Sequence, residues 1–259
     1  MSLTTALQGQ LQVIHALILR ESRTRFGAHQ LGYIWALLEP LFWVLTFYGI
    51  FHLTGRKIHY GMDTVSFITT GIIPYLLFRE TMSRSQSAIQ ANKGLLFYPQ
   101  VHPLDLVIAR VSLELVTLVT VFVVIMGAHS LYLGELRIDS LLTVISGLLL
   151  ASLLGASIGI FFSALSVYTR LIERILPLLM RPLFFISGLF FTANELPAQA
   201  RDILLWNPVL HCVEMVRGGW FPSYHAHYLD IPYVIAWILL FAYSGLVLGR
   251  MARRRLELT

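Results

Sequence analysis

The sequence has little charge. Only 13% of its 259 residues are Asp, Glu, Lys or Arg, whereas 56% are hydrophobic. A soluble globular domain carries about 25% charged residues, so the composition argues against a soluble domain and indicates a membrane protein. Cys212 is the single cysteine, which excludes a disulfide within the chain.

Lysine is also scarce, and the nucleotide-binding motif GxxxxGK[ST] is missing. Neither Lys57 nor Lys93 follows a glycine and precedes Ser or Thr. The chain therefore does not bind nucleotide by the P-loop mechanism, and active transport would need another polypeptide or an ion gradient. No catalytic constellation stands in a convincing context. We expect no cofactor and no metal site, because His225 and His227 have no third ligand nearby.

Six long apolar runs predict six transmembrane helices. A span needs about 20 mostly apolar residues, and in lipid its backbone groups must bond within the segment. The runs are Ile34–Leu53, Thr64–Met82, Leu106–Leu133, Leu141–Val167, Ile175–Thr192 and Leu229–Leu248. No internal repeat or separate soluble domain is evident, so we predict one all-α membrane domain over residues 1–259.

The distribution of basic residues predicts the orientation. With both termini in the cytoplasm, 12 Arg and Lys lie at cytoplasmic ends and 5 lie outside. Such a bias favours this topology, and basic residues at membrane edges argue against a nucleic-acid partner. The cytoplasmic set is Arg20, Arg23, Arg25, Arg79, Arg84, Lys93, Arg170, Arg174, Arg250, Arg253, Arg254 and Arg255; the outer set is Arg56, Lys57, Arg137, Arg201 and Arg217.

Three segments outside the spans have distinct patterns. Residues 1–30 carry apolar residues at helical spacing and then a basic cluster, which predicts an amphipathic helix in the cytoplasmic interface rather than a plain soluble helix. Residues 83–105 predict a short cytoplasmic helix over Ser83–Asn92 that ends near a capping Gly94. Residues 193–228 are external but apolar, which predicts two short re-entrant helices; the alternative is a folded external loop.

Charged and aromatic residues within the spans have structural and functional interpretations. Arg110 and Glu114 are four residues apart, close enough to pair on one helix face. Most of the ionisable groups lie near the inner interface, where ion pairing explains them better than a proton relay does. Most of the dense aromatic residues fit interface belts or helix packing, and the alternative is a pore lining on which sugar rings stack.

Several ordered motifs resemble those of polysaccharide-export permeases of the ABC-2 family, especially the capsular-polysaccharide exporters of Gram-negative bacteria. The resemblance covers nearly the whole chain. It is carried by LILRESRTRFGAHQLGYIWALLEPL (17–41), GIIPYLLFRE (71–80), SAIQANKGLLFYPQVHPLD (87–105) and SGLFFTANELPAQARDILLWNPVLHCVEMVRGGWFP (187–222).

The resemblance implies a homodimer in the bacterial inner membrane with two cytoplasmic ATPase subunits, which bind ATP and Mg. It also implies an interface helix, a coupling helix and external re-entrant helices, together with periplasmic and outer-membrane partners. The implied substrate is a lipid-linked, acidic capsular polysaccharide moving from cytoplasm to periplasm. Relatives that export O-antigen or teichoic acid share much of the pattern. A gradient-driven transporter and a membrane enzyme acting on a lipid-linked sugar remain alternatives.

Four groups of residues are the candidate sites. The substrate entrance is Arg20, Arg23 and Arg25, at headgroup level beside membrane lipids. The ATPase coupling site is Ile89, Gln90, Asn92, Lys93, Gly94 and Leu95. The polymer path is Tyr33, Trp35, Trp43, Tyr75, Phe78 and Phe190. The external gate is Asn207, Pro208, Glu214 and Arg217, in which Glu214 pairs with Arg217 or Arg217 faces the acidic polymer.

Overall fold

The structure is a computed structural model that describes residues 3–27, 31–56, 58, 60–135, 138–169 and 171–256. Lys57, Arg137 and Arg170, used above for the orientation, lie outside these ranges. The side chains of Tyr33, Arg253, Arg254 and Arg255 also lie outside the described part. The described residues form an all-helical bundle without strands.

Nine α-helices follow one another in the described part of the chain. They are α1 (Leu3–Phe26), α2 (Leu31–Leu53), α3 (Thr64–Ala91), α4 (Pro103–Leu133), α5 (Leu141–Ser166), α6 (Leu171–Ile186), α7 (Ala198–Leu204), α8 (Pro208–Trp220) and α9 (Ile231–Leu256). A short 3-10 helix, Lys93–Phe97, lies between α3 and α4.

Four of the helices are long and apolar enough to cross a membrane: Ile34–Leu53, Pro103–Leu133, Leu141–Ser166 and Ile231–Met251. These four lie within a few residues of their predicted spans. The second predicted span is the outer part of α3, whose inner part is polar. The fifth differs more, since α6 has 16 residues and ends at Ile186, six residues before the predicted end. The chain turns there because Gly188 takes a φ of 79°, which favours glycine.

The predicted short helix over Ser83–Asn92 is not a separate element. It is the continuation of α3, which runs unbroken for 28 residues. The predicted Gly94 cap is wrong, because Asn92 is the C-cap residue and Gly94 lies in the 3-10 helix that follows. The Asn92 side-chain amide donates to the Ala88 carbonyl (3.0 Å) and so closes the last turn of α3.

Helix α3 lies at the centre of the bundle and packs closely against α5. The close approach depends on small residues of α5, since Gly155 and Gly159 face the backbone of α3, whereas Gly147, at the same spacing of four, faces α8. A Cβ on Gly159 would lie 2.5 Å from the Met82 carbonyl oxygen, so only glycine fits there. Small residues are what let transmembrane helix backbones approach this closely.

Two short helices occupy residues 193–228, the segment predicted to be external. Helix α7 is short, whereas α8 is almost fully buried against α3 and α5. This packing contradicts the alternative of a loop folded only on itself. Asn207 begins α8, since its side-chain oxygen accepts a hydrogen bond from the Val209 amide (3.0 Å) and Pro208 follows it.

Candidate functional site

A groove of about 600 Å³ lies between α2, α3 and α6. These helices correspond to the first, second and fifth predicted spans. Aromatic side chains form one wall: Trp43, Phe47, Tyr75, Phe184 and Phe185. Polar and charged side chains form the rest of the lining, among them Arg79, Glu80, Ser83, Gln86, Glu173 and Arg181. The groove is therefore amphipathic, with aromatic and ionic surfaces side by side.

The aromatic wall is a continuous set of ring contacts. The Phe184 ring centroid lies 5.6 Å from that of Trp43 and 5.3 Å from that of Tyr75. The Phe47 and Phe190 rings are 4.5 Å apart, which extends the set to the turn after α6. The Tyr75 hydroxyl donates to the Met180 carbonyl (2.6 Å) and so holds α3 against α6.

The structure brings only part of the predicted polymer path together. Trp43 and Tyr75 line the groove, and Phe190 contacts its aromatic wall. Trp35 is 70% exposed and Phe78 is buried in the core, and neither lines the groove. The periodicity of each helix predicts its aromatic residues but does not say which of them face a neighbouring helix.

The charges on α2 and α3 beside the groove are paired. The Arg79 guanidinium lies 2.7 Å from the Glu80 carboxylate and 3.3 Å from that of Glu39. Arg84 lies 4.0 Å from Glu80. Arg79 thus bridges α2 and α3 with its charge balanced by two carboxylates.

Helix α1 is bound to the first turns of α4 by two ion pairs. Arg25 binds the buried carboxylate of Glu114 through both guanidinium NH groups, and Glu21 lies 2.9 Å from Arg110. The predicted pairing of Arg110 with Glu114 along one helix is therefore wrong, because each of them has its partner on α1. The sequence holds a signal for this arrangement: Glu21 and Arg25 have the same spacing as Arg110 and Glu114.

The predicted entrance arginines do not form one cluster. Arg25 binds Glu114, while Arg20 donates to the Asn92 side-chain oxygen (3.0 Å) at the end of α3. Arg23 is exposed on α1. Two of the three cations thus join α1 to α3 and α4, although Arg20 is exposed like Arg23.

The predicted coupling residues differ in exposure. Gln90, Lys93 and Gly94 are exposed, Ile89 is half-buried and Asn92 is buried. Leu95 packs against a cluster of apolar residues from α1, α3 and α4 that includes Leu17, Ala88 and Leu106. That cluster fixes the 3-10 helix to α1 and α4.

Sequence reasoning missed two aromatic residues at the tip of this segment. Phe97 and Tyr98 are 89% and 63% exposed. Phe97 is the last residue of the 3-10 helix, and Tyr98 follows it directly before Pro99. Large exposed apolar side chains on a polar segment mark a contact surface.

On α8, the predicted pair of Glu214 and Arg217 is confirmed with a separation of 3.1 Å. Arg217 is fully buried and donates to the carbonyls of Gly188 (2.9 Å) and Phe191 (3.1 Å). Its guanidinium also lies 4.2 Å from the centre of the Phe67 ring. In this structure Arg217 therefore holds the turn after α6 to α8 and α3, and it does not face the exterior.

Tyr224 completes this buried cluster. Burial and the neighbouring Glu214 carboxylate raise the pKa of Tyr224, so its hydroxyl stays protonated and donates to that carboxylate. The Ala193 amide donates to Glu214 as well (3.4 Å). Asn207 and Pro208 are the other two predicted gate residues. The side-chain amide of Asn207 donates to the Ser187 hydroxyl (2.9 Å). The gate residues thus join α8 to the segment that follows α6.

Long apolar helices around a groove with aromatic and ionic walls define a polytopic membrane protein of the transporter class. The ABC-2 type transporter family matches residues 12–221, and the chain belongs to that family.

Individual relatives extend the match over nearly the whole chain. A polysialic acid transport protein KpsM of Escherichia coli is 36% identical over 244 residues, which cover 93% of each chain. A capsule polysaccharide export inner-membrane protein BexB of Haemophilus influenzae is 28% identical, covering 97% of this chain and 94% of its own. The corresponding protein CtrC of Neisseria meningitidis serogroup B is 27% identical, covering 92% and 90%.

Proposed function

We propose that this chain is the permease subunit of an ATP-driven exporter that moves an acidic capsular polysaccharide from cytoplasm to periplasm across a bacterial inner membrane. The observation that most supports this proposal is the groove between α2, α3 and α6. An aromatic wall offers flat surfaces on which sugar rings stack, and the ionic side offers partners for charged substituents. The similarity to the polysialic acid and capsule export proteins supports the same substrate class.

The proposed topology has six spans, with both termini in the cytoplasm. Besides the four long apolar helices, α3 and α6 serve as the second and fifth spans. Helix α6 has 16 residues, and in this topology the turn at Gly188 completes the fifth span. Helix α1 lies in the cytoplasmic interface, and α7 and α8 are the re-entrant helices. The buried position of α8 between α3 and α5 supports that assignment.

The transport path is proposed to form between two copies of the chain. Three helices of one chain form a groove, and a second copy related by a C2 axis completes an enclosed path around a polymer. The exposed apolar side chains on α6, including Leu178, Leu179 and Phe185, provide surface for such an interface or for lipid.

ATP hydrolysis is assigned to two copies of a separate cytoplasmic subunit, which bind ATP and Mg. Residues 83–105 are the proposed coupling segment, because they comprise the last turns of α3, the 3-10 helix and the first residues of α4. Gln90, Lys93 and Gly94 contribute an exposed polar rim, and Phe97 and Tyr98 are the strongest candidates for apolar anchors. Periplasmic and outer-membrane partners would receive the polymer.

The test is reconstitution of this chain with its ATPase in sealed vesicles. We expect the two proteins to copurify and the chain to raise ATP turnover. We also expect an acidic polysaccharide to cross the membrane only when ATP is hydrolysed. Transport driven by an ion gradient in the absence of the ATPase would overturn the proposal.

A further inference from the structure

Arg181 is a cation placed deep along α6. It lies ten residues after the first residue of the helix, about 15 Å along the axis. The hydroxyl of Tyr75 on α3 binds the carbonyl of the preceding residue, Met180. Arg181 itself is exposed in the single chain and lines the groove. If α6 spans the bilayer, this charge lies near its middle.

The charges around Arg181 leave it without an ion-pair partner in the part of the chain that the structure describes. Arg79 is balanced by Glu39 and Glu80. Glu173 also lines the groove, but it lies eight residues earlier on α6, about 12 Å away along the axis. No ion pair between described residues includes Arg181. Among the described residues that line the groove, Arg181 is therefore a cation that no carboxylate pairs.

A guanidinium at this depth needs water, protein or a ligand, because facing lipid is costly. The guanidinium stays protonated, so its surroundings must supply groups that stabilise the positive charge. Its planar fork matches a carboxylate with two parallel hydrogen bonds. The aromatic wall begins at Phe184 and Phe185, within a turn of Arg181 on the same helix, and Tyr75 lies opposite.

We propose that Arg181 is the specificity residue of the groove and binds the carboxylate of acidic sugar units while neighbouring sugar rings contact the aromatic wall. The inference rests on the proposed function, since it assigns the part of the substrate that the same groove recognises. It predicts that the groove distinguishes an acidic from a neutral polymer through one cation. Arg79 does not serve this role, because two carboxylates already bind it.

The two prolines within α6 leave backbone carbonyl groups available as hydrogen-bond acceptors on the same helix. Pro177 and Pro182 have no backbone N–H, so the carbonyls of Glu173 and Leu178 lose their usual α-helical donors. Such carbonyls can accept hydrogen bonds from sugar hydroxyls or water. Glu173 lines the groove and Leu178 lies within the same stretch of α6, where such acceptors suit a hydrated polymer better than a lipid chain.

The test compares binding of two probes to the full-length chain in phosphatidylcholine nanodiscs, which contain no anionic lipid. The probes are a labelled oligosialic acid and a neutral maltooligosaccharide of similar length. Arg181→Gln should weaken oligosialic acid binding about tenfold and leave maltooligosaccharide binding unchanged. Arg181→Lys should recover part of the loss. The matched control is Arg174→Gln, which removes an exposed arginine of α6 that does not line the groove.

Three results would overturn the inference. One is equal binding of oligosialic acid by the wild type and Arg181→Gln. Another is an equal loss with both probes, which would indicate a structural role. The last is dissociation of the homodimer by Arg181→Gln, which would make the partner's carboxylate the true ligand.

A separate measurement keeps the two proposals apart. Each variant is also purified with the ATPase, and ATP turnover is recorded. Suppose that the wild-type complex hydrolyses ATP and exports acidic polymer, and that Arg181→Gln does not change the preference for acidic polymer. That result rejects the role of Arg181 and leaves the proposed function intact. Failure of the wild type to bind or stimulate any ATPase rejects the proposed function.

Discussion

The guanidinium of Arg25 on α1 binds the carboxylate of Glu114 on α4, although the two residues are 89 positions apart in the chain. The Glu114 side chain is almost fully buried, whereas that of Arg25 is about one-quarter exposed. With the Glu21–Arg110 pair one turn away, this contact fixes α1 across the inner ends of α3 and α4. Helix α1 is therefore an integrated part of the bundle.

Arg25→Ala should lower the stability of the membrane domain. Among the described residues it leaves Arg84, at 3.9 Å, as the remaining ion-pair partner of the buried Glu114 carboxylate, and we expect a loss of about 1–3 kcal/mol. The measurement is thermal unfolding in detergent. The matched control is Arg23→Ala, which removes an exposed arginine of the same helix and should leave the melting temperature unchanged. Equal melting temperatures for both variants would contradict the prediction.

The double variant Arg25→Met with Glu114→Leu should recover most of that loss. Apolar replacement of both partners avoids a buried unpaired charge. If the double variant is less stable than Arg25→Ala, the Arg25–Glu114 pair stabilises the folded protein by more than the neutralisation of a buried carboxylate.

Phe97→Ser should reduce recovery of the ATPase in a pull-down from detergent without changing the melting temperature of the permease. The side chain has almost no contacts within the chain, so its loss affects only an external partner. Leu131→Ser is the control, because Leu131 is similarly exposed (85%) at the opposite end of α4. Undiminished recovery with Phe97→Ser would move the coupling surface to Gln90, Lys93 or α1.

Leu95→Asp should abolish ATPase recovery and also destabilise the membrane domain. Leu95 packs against the cluster that contains Leu17 and Leu106, so a carboxylate there disturbs the contact with α1 and α4. The two readouts, pull-down and melting temperature, separate this variant from Phe97→Ser. Loss of ATPase binding at an unchanged melting temperature would show that Leu95 faces the partner instead.

Gly155→Ala should destabilise the bundle even though it adds a single methyl group. A Cβ at this position would overlap the Phe78 carbonyl and the Thr81 hydroxyl of α3. Overpacking of this kind costs about 1–3 kcal/mol. Gly127→Ala on α4 is the control, because its Cβ meets nothing within 4 Å. Thermal unfolding of the pair in the same detergent gives the comparison, and equal stability would contradict the close approach of α3 and α5.

Arg217→Ala should reduce the amount of folded protein, and export should fall with it. The substitution leaves the Glu214 carboxylate buried and removes the donors to the Gly188 and Phe191 carbonyls, which we expect to cost about 3–5 kcal/mol. Membrane expression level and melting temperature are the measurements. Arg201→Ala is the control, because that guanidinium lies over the Tyr228 ring near the surface of α7. Normal folding with lost export would instead favour direct contact of Arg217 with the polymer.

Continuous apolar runs could be found from the sequence because a span in lipid satisfies its own backbone. The predicted Leu141–Val167 and the observed α5, Leu141–Ser166, differ by a single residue. The inner part of α3 was harder to predict, since it leaves the apolar pattern while the helix continues. Contacts between distant segments, such as Arg25 with Glu114, depend on how helices cross, and periodicity within one helix does not determine that.

The residues of the candidate site also fall into those that could be predicted from the sequence and those that could not. Trp43 and Tyr75 could be predicted as groove residues from aromatic content, and the Glu214–Arg217 pair from helical spacing. The exposure of Phe97 and the burial of Phe78 follow from the packing of several helices and could not be predicted. The glycine spacing on α5 is a signal that the sequence does contain, because the residues recur every four positions.

The unbroken length of α3 has a mechanical consequence. Its 28 residues extend about 42 Å, from the cap at Asp63 to the cap at Asn92. This helix contains both Phe67, whose ring contacts the Arg217 guanidinium, and Arg79, which lies beside the groove. A force applied by a partner at the Asn92 end would therefore act as on a lever, because a small tilt at one end of a continuous helix displaces the contacts at the other end.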